Sequence, residues 1–208
     1  MTTTALTLPS EAPIMVLPGA VLFSNTVLPL RIFEPRYRAM LEWVLQRDRM
    51  FCVAMMKPGI SEAETEDQFF HTAGIGLVAA SVTQADGTSN LMLHGIERVR
   101  FTGFSQRRPF RIATIEAVPD IEAAPSQAEP LMEKLREQCG AIRVDGSRLP
   151  AIFMDALDKI EDPAFLADTI ANSLVNDGMK RQCLLEQQDT LERLRELTRI
   201  LGEVFSGG

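Results

Sequence analysis

The feature that most constrains the fold is a change in the spacing of apolar residues near Pro119. Before this residue, apolar side chains come in short, strand-like runs separated by turn pairs such as Asp86-Gly87. After it, they recur at the three- and four-residue spacing of helices. Strands followed by helices, segregated along one chain, predict an α+β fold. The predicted strands are 13–17, 26–33, 50–57, 74–83, 90–93, 98–104 and 110–118, and the predicted helices are 127–140, 149–160, 163–176 and 179–204.

The distribution of charge changes at the same place. Residues 1–118 hold 11 basic and 11 acidic side chains, whereas residues 119–208 hold 10 basic and 17 acidic ones, which accounts for the whole net charge of −7. We therefore expect a β-rich subdomain over residues 1–120 and a helical bundle over residues 121–208. Neither part has the basic character that sequence-independent binding of nucleic acid requires.

The composition is that of an ordinary globular protein, with 46% apolar and 24% charged residues. No apolar run approaches the roughly 18 residues of a membrane-spanning helix, and the first residues do not resemble a signal peptide. The three cysteines are far apart, and two lie among apolar residues, which favours reduced thiols. These features predict a cytoplasmic protein that does not act on a membrane.

Few motifs in the sequence point to chemistry. Residues 74–79, GIGLVA, match the glycine pattern of dinucleotide sites, but they enter an alternating strand, so close packing of glycines in a sheet is the favoured interpretation. His71 and His94 have no second ligand three or four residues away, which argues against a metal site. The sequence contains no phosphate-binding loop and no serine-hydrolase motif. We expect no catalytic, cofactor-binding or metal-binding residues.

Residues 27–45, VLPLRIFEPRYRAMLEWVL, have the pattern of a strand that turns into a helix at Pro35. Proline suits the first helical position because its missing N–H would have no partner there. We expect Arg31, Glu34 and Arg36 to hold this corner through at least one ion pair or hydrogen bond. The alternative is that the basic and aromatic residues of this stretch form a recognition patch.

Three separated blocks of the sequence resemble the N-terminal domain family of Lon proteases. They are PIMVLPGAVLFSNTVLPLRIFEPRYRAML (13–41), GIGLVAASVTQADGTSNLMLHGIERVRF (74–101), and DPAFLADTIANSL with KRQCLLEQQDTLERLREL (162–197). The main departure is Ser24-Asn25, where the family usually has Pro-Gly, but both pairs favour a turn. The resemblance implies a PUA-like β pseudo-barrel with one helix, followed by a helical bundle. It also implies a stand-alone member without ATPase and protease modules.

The resemblance further implies a function without catalysis or a cofactor. The expected function is a protein-binding module that recruits or holds unfolded or partly folded proteins and peptides. A separate protease or a second copy of the chain are further candidate partners. Two alternatives stay open: a PUA-like nucleic-acid-binding protein, and an accessory subunit that regulates a separate ATP-dependent protease.

A module that holds unfolded clients needs accessible apolar surface, because contact with them is driven by the removal of apolar groups from water. Two segments are candidates. One is Val21, Leu22 and Phe23, beside a Pro-Gly turn that makes full burial of the segment difficult. The other is Val204 and Phe205, at the end of the last predicted helix. The alternative is that these side chains pack into the barrel mouth or the bundle.

Overall fold

The structure is a computed structural model that describes residues 7–106, 109–144 and 147–206, without the side chains of 106, 144 and 204–206. The chain forms two compact units, Met1–Val118 and Pro119–Gly208. In the described ranges the first unit is mainly strand with one α-helix, and the second is mainly helix. The predicted α+β fold class is confirmed.

The described residues form eight strands and six α-helices. The strands are β1 (Glu11–Pro18), β2 (Val27–Ile32), β3 (Met50–Met56), β4 (Thr72–Thr83), β5 (Ser89–Gln106), β6 (Arg111–Ala117), β7 (Arg143–Val144) and β8 (Ser147–Arg148). The helices are α1 (Pro35–Leu45), α2 (Pro125–Ala141), α3 (Ala151–Asp158), α4 (Pro163–Leu174), α5 (Gly178–Glu186) and α6 (Thr190–Ser206).

The first unit is built on one sheet with the strand order β2-β5-β4-β3-β1-β6. β1 and β3 are parallel, and the other neighbours are antiparallel. The sheet closes on itself because the second half of the long strand β5 also pairs with β6, with Val99 opposite Ala117. The first half of β5 pairs with β2 instead, with Leu93 opposite Leu28. The predicted pseudo-barrel is therefore present, and β2 lies at the end of its sheet.

One prediction about the strands is wrong. The runs 90–93 and 98–104 were expected to be separate strands, but both belong to β5. Gly95 continues the strand between them, and its N–H donates to the carbonyl of Thr26 at 2.8 Å. Register shifts near Gly103 accompany the pairing of the second half with β6. Such irregularities bend a strand, and they let β5 serve two different neighbours.

The core of the first unit has two apolar clusters, and β3 contributes to both. Cys52 belongs to the cluster among the barrel strands, whereas Phe51 and Val53 belong to the cluster that also contains Met40 and Val44 of α1. Successive residues of a strand point to opposite sides. A strand that is covered on both sides is therefore continuously apolar, which is why MFCVAMM has no alternation.

In the second unit, the helix predicted over 179–204 is two helices. Residues 187–189 separate α5 from α6. The Asp189 carboxylate accepts hydrogen bonds from the N–H groups of Leu191 at 2.9 Å and Glu192 at 3.1 Å. It therefore caps the first turn of α6, which is the usual role of Asp before a helix.

The ends of α4 and α5 confirm one prediction and correct another. The pair Asp162-Pro163 predicts a helix start, and Asp162 indeed precedes α4 and accepts a hydrogen bond from the Phe165 N–H at 2.6 Å. The run Asn176-Asp177-Gly178 predicts a helix end with Gly178 in the left-handed conformation, but Gly178 is the first residue of α5. Asp177 caps that helix by accepting from the Lys180 N–H at 3.0 Å.

A buried ionic network lies inside the second unit. The fully buried guanidinium of Arg193 donates to Asp168 at 2.7 Å, to Asp120, and to the Gln187 carbonyl at 3.0 Å. Burial by itself lowers the pKa of Arg193, but the two carboxylates outweigh it and raise the pKa above its usual value. The group therefore stays charged and joins α6 to α4 and to the start of the unit.

Candidate functional site

The segment that was expected to present apolar surface, Val21 to Phe23, is buried. Phe23 is 0% exposed, and Val21 and Leu22 are each 1% exposed. Leu22 packs in the same cluster as α1. The prediction that these residues offer an accessible surface for clients is therefore wrong, because all three side chains are buried in the first unit.

Glycines on β4 and β5 explain this burial. A Cβ atom on Gly74 would lie 2.0 Å from the carbonyl oxygen of Leu22, and one on Gly95 would lie 2.0 Å from that of Phe23. The backbone of the segment thus rests directly on the glycines, where a side chain would displace it. The glycines of GIGLVA serve close packing within strand β4, and the helix that a dinucleotide site requires does not follow them.

The second candidate segment is Val204 and Phe205. Both residues belong to the last turn of α6, but their side chains lie outside the described part of the chain. Their role in client binding stays a prediction.

The corner between β2 and α1 contains an ion pair. Arg36 contacts Glu34 at 2.7 Å and Glu62 at 3.2 Å, and its guanidinium lies 4.8 Å from the centre of the Tyr37 ring. The Tyr37 hydroxyl donates to the carbonyl of Val16 at 3.0 Å and accepts from the N–H of the same residue at 3.1 Å. Burial raises the pKa of Tyr37, which keeps this hydroxyl protonated. These contacts attach α1 to β1, and the contribution of Glu34 and Arg36 to stability stays a prediction.

Arg31, the third residue expected at this corner, lies on the exposed side of β2 and forms no hydrogen bond or ion pair with the described residues. Asp86 is close enough to interact with the charges of Arg31 and Arg38. However, the Asp86 carboxylate already accepts from the N–H and hydroxyl of Thr88, at 2.9 Å and 2.8 Å. These bonds are the main reason that the pKa of Asp86 is lowered, and the two guanidinium charges lower it further.

Large apolar side chains are exposed on the outer face of three neighbouring strands, β2, β5 and β4. Val27 is 44% exposed, Met92 is 42% exposed and Val82 is 61% exposed. In the register of these strands, Pro29 lies opposite Met92, which in turn lies opposite Ala80. All of these residues are exposed, and their neighbours in sequence on β2 and β5 are half-buried or buried. The outer face of this part of the sheet therefore exposes several apolar side chains.

A groove of about 510 Å³ crosses this face. It is lined by three rows, each made of residues that lie opposite one another on β2, β5 and β4. Two rows are exposed: Pro29, Met92 and Ala80, and Arg31, Asn90 and Val82. The row between them is Leu30, Leu91 and Ser81. The groove thus combines apolar side chains with one cation and few other polar groups. Such a lining suits apolar side chains of a ligand and fixes their orientation through a small number of polar contacts.

The outer edge of β2 is not paired with another strand of the described chain. Pairs in an antiparallel ladder alternate between hydrogen-bonded and non-hydrogen-bonded types. The N–H of Gly95 donates to the carbonyl of Thr26, so this pair is of the hydrogen-bonded type. Every second residue of β2 after Thr26, namely Leu28 and Leu30, therefore also bonds to β5. Val27 and Arg31 alternate with them and direct their N–H and C=O groups to the free edge. Pro29, which has no N–H, also takes an edge-facing position, as proline in a sheet usually does.

Phe33 directly follows β2 and is 61% exposed. It is the next residue in the series Val27, Pro29 and Arg31, whose members are spaced by two. The sequence pattern predicts Phe33 as part of the strand 26–33 and not as part of a binding surface. The signal in the sequence is that TVLPLRIF is largely apolar at both alternating sets of positions, whereas in the structure only the set with Leu28, Leu30 and Ile32 packs against a core.

The histidines do not form a metal site with other residues in the described ranges. No group of three or more His, Cys, Asp or Glu side chains there is placed to hold a metal ion. His71 Nε2 lies 2.8 Å from the carbonyl of Glu66, and its ring contacts Phe69, Phe101 and Phe104. Across the same ranges, no helix is both long enough and apolar enough to cross a membrane.

Comparison with known proteins shows the family of the chain. The sequence matches the ATP-dependent protease La (LON) substrate-binding domain over residues 11–203. The chain belongs to this family. It is 25% identical over 197 residues to the Lon protease of Trichlorobacter lovleyi, and the match covers 94% of this chain and 24% of that protein. The chain thus spans about a quarter of the length of the curated Lon proteases that it matches.

Two solved structures share the Lon N-terminal fold with this chain. The N-terminal domain of the Mycobacterium avium complex Lon protease is 18% identical, with a TM-score of 0.74 and coverage of 93% of this chain and 98% of that one. The Lon N-terminal domain protein from Xanthomonas campestris is 20% identical, with a TM-score of 0.64 and coverage of 91% and 97%. At these identities the likeness establishes the fold alone.

Proposed function

We propose that the chain is a non-catalytic protein-binding module that holds unfolded or partly folded clients in the groove on the outer face of β2, β5 and β4. The observation that carries the proposal is the exposed apolar face, which includes Val82, Met92 and Val27, in a domain of the Lon substrate-binding family. Large apolar side chains that share one face of a monomer are typical of interaction sites.

The free energy for such binding comes mainly from apolar surface. Removing apolar area from water contributes about 25 cal/mol per Å² before the entropic costs of association are subtracted. A folded client has already buried most of its large apolar side chains, whereas an unfolded segment exposes them together with its backbone. The groove next to an unpaired strand edge can contact both, so it favours unfolded segments.

Two of the three thiols, Cys52 and Cys139, are buried and poorly suited to covalent chemistry, whereas the third, Cys183, is exposed. Burial strongly raises the pKa of Cys52, and burial raises the pKa of Cys139 to about 11. Both thiols are therefore protonated at neutral pH, and a protonated thiol is a poor nucleophile. Neither residue lines the groove.

The experiment is to measure binding of a permanently unfolded model protein by fluorescence anisotropy, with and without ATP. The double variant Val82→Ser/Met92→Ser removes the apolar groups of the groove. The matched control is Ile152→Ser, because Ile152 is 80% exposed on α3 in the other unit. We expect the double variant to bind at least about tenfold more weakly, the control to bind like the wild type, and ATP to have no effect.

Gel electrophoresis of the client after incubation completes the test. We expect the client to stay intact in every sample. Cleaved client, or equal binding by the double variant and the wild type, would contradict the proposal.

A further inference from the structure

We infer that clients add an extended strand to the free edge of β2 and are selected for an acidic side chain opposite Arg31, with apolar side chains on either side of it. This preference rests on the proposed function, since it specifies which unfolded segments the module holds. It follows from the free edge, the exposed guanidinium of Arg31 and the apolar residues around it.

The edge supplies the backbone contacts. Val27 and Arg31 direct N–H and C=O groups away from β5, and no described strand accepts them. An extended peptide that pairs there gains main-chain hydrogen bonds, whatever its sequence. Pro29 lies between these two residues and lacks an N–H, which limits how many such bonds can form. Sequence selection must therefore come from side chains.

Arg31 supplies the charge preference. It is exposed, lines the groove, and has no hydrogen-bonding or ion-pair partner in the described part of the chain. The nearby carboxylate of Asp86 is held by Thr88, and the Arg38 guanidinium lies against Gly87 of the same turn. A client carboxylate can therefore approach Arg31 without displacing an existing ion pair. In a sheet, opposite charges directly across two strands attract and like charges repel.

The apolar residues around Arg31 define the rest of the pattern. Val27 and Phe33 are 44% and 61% exposed and lie four and two residues from Arg31, and Pro29 lies between Val27 and Arg31. Side chains two residues apart in a strand share a face and are about 7 Å apart. The complementary client segment therefore has an acidic residue with apolar residues two positions away in both directions. Exposed apolar side chains occur on both sides of Arg31, so the carboxylate is that of an internal Asp or Glu and not of a chain end.

The test uses labelled peptides in which apolar residues alternate with threonine, so that an extended peptide has one apolar face and one threonine face. The central residue of the apolar face is replaced by Glu, Gln or Lys. In a fourth peptide the Glu is moved by one position, which turns it to the opposite face. Binding is measured by fluorescence anisotropy at low ionic strength. We expect the Glu peptide to bind about two- to fivefold more tightly than the Gln and shifted peptides, and the Lys peptide to bind most weakly.

Charge reversal at Arg31 tests whether this residue is responsible. The Arg31→Glu variant should prefer the Lys peptide to the Glu peptide. The matched control is Arg100→Glu, which makes the same change of charge at a different exposed arginine. Arg100 is on β5 and does not line the groove. The control should keep the preference of the wild type. An unchanged preference in Arg31→Glu, or a reversed one in Arg100→Glu, would overturn the assignment to Arg31.

Backbone methylation tests strand addition directly. The Glu peptide is N-methylated at alternate residues, either on the edge that would pair with β2 or on the opposite edge. We expect methylation of only one of the two edges to weaken binding, by about tenfold. Equal effects of the two patterns would overturn strand addition.

The outcomes separate this preference from the proposed function. If the Glu, Gln and Lys peptides bind equally while an unfolded protein still binds, the charge preference is wrong and the proposed function stands. If neither peptides nor an unfolded protein bind, the proposed function is wrong and the preference falls with it.

Discussion

Two apolar regions of the barrel unit have opposite positions relative to solvent. The segment Val21 to Phe23 follows a Pro-Gly turn, has the features of a loop, and is buried. The face that includes Val27, Met92 and Val82 belongs to regular strands and is exposed. Strands of a barrel are expected to carry the core, and loops are expected to carry the binding surface. Here the loop completes the core and the strands carry the exposed apolar surface.

Whether the side chains of a segment are exposed depends on which residues face that segment in the folded chain. Gly74 and Gly95 leave space for the backbone of the loop, so its side chains reach the core. β2 lies beyond the closed part of the barrel, because the second half of β5 pairs with β6 and only the first half pairs with β2. No described strand covers the outer edge of β2, and its outward side chains meet solvent.

The largest effect on stability should come from adding a methyl group at Gly95, where β5 contacts the backbone of the loop Val21 to Phe23. Gly95→Ala would place a Cβ atom 2.0 Å from the Phe23 carbonyl oxygen, so the backbone must move. We expect a loss of unfolding free energy above about 4 kcal/mol, measured by urea denaturation, because core packing and strand register are both disturbed. Gly103→Ala on the same strand is the control, since its Cβ atom would meet only the Thr114 side chain at 3.5 Å. A similar loss in the control would mean that alanine in β5, and not contact with the loop, is responsible.

Two phenylalanines ten residues apart provide the sharpest contrast in stability. Phe23 is 0% exposed and Phe33 is 61% exposed. Phe23→Ala should lower the unfolding free energy by about 3–5 kcal/mol, whereas Phe33→Ala should change it by no more than about 0.5 kcal/mol. Thermal and urea denaturation of both variants measure the difference. Similar stabilities would show that the loop does not contribute to the core.

Removing the Tyr37 hydroxyl should have an intermediate effect. This group satisfies both the N–H and the C=O of Val16, and it attaches α1, which follows the exposed strand β2, to the buried strand β1. Tyr37→Phe keeps the ring and leaves the two backbone groups without this partner. We expect a loss of about 1–3 kcal/mol in urea denaturation, with an unchanged dependence on urea concentration. A wild-type midpoint would show that the hydroxyl does not hold the corner.

The smallest effect is expected from the ion pair at the same corner. Glu34 and Arg36 are each about one-third exposed, so solvent screens their attraction. Glu34→Ala should lower the unfolding free energy by about 1 kcal/mol or less. In about 1 M NaCl the difference from the wild type should shrink. A difference that is independent of salt would assign the loss to packing and not to charge.

The fold was predictable because it depends on local patterns. The period of apolar residues distinguished the strands from the helices near Pro119, and Asp162-Pro163 marked the start of α4. One prediction failed although the deciding contact is local. The leucine pattern continues across the break between α5 and α6, and the capping by Asp189 marks the start of the new helix.

The candidate site was less predictable because contacts distant in sequence decide it. The run TVLPLRIF is apolar at both alternating sets of positions, and the sequence does not state which set faces a core. The answer depends on the pairing of β2 with the first half of β5. The burial of Phe23 likewise depends on a glycine 72 positions later, at Gly95. Prediction of the binding surface therefore required the tertiary structure.

Site-specific photo-crosslinking tests the central claim, that clients bind the exposed face of β2, β5 and β4, most directly. A benzophenone amino acid replaces Val82 on this face or Ile152 on α3, the two being 61% and 80% exposed. Each protein is irradiated with an unfolded model client, and crosslinked product is measured by gel electrophoresis. We expect efficient crosslinking from position 82 and only background crosslinking from position 152. Equal crosslinking from both positions, or crosslinking from position 152 alone, would contradict the account.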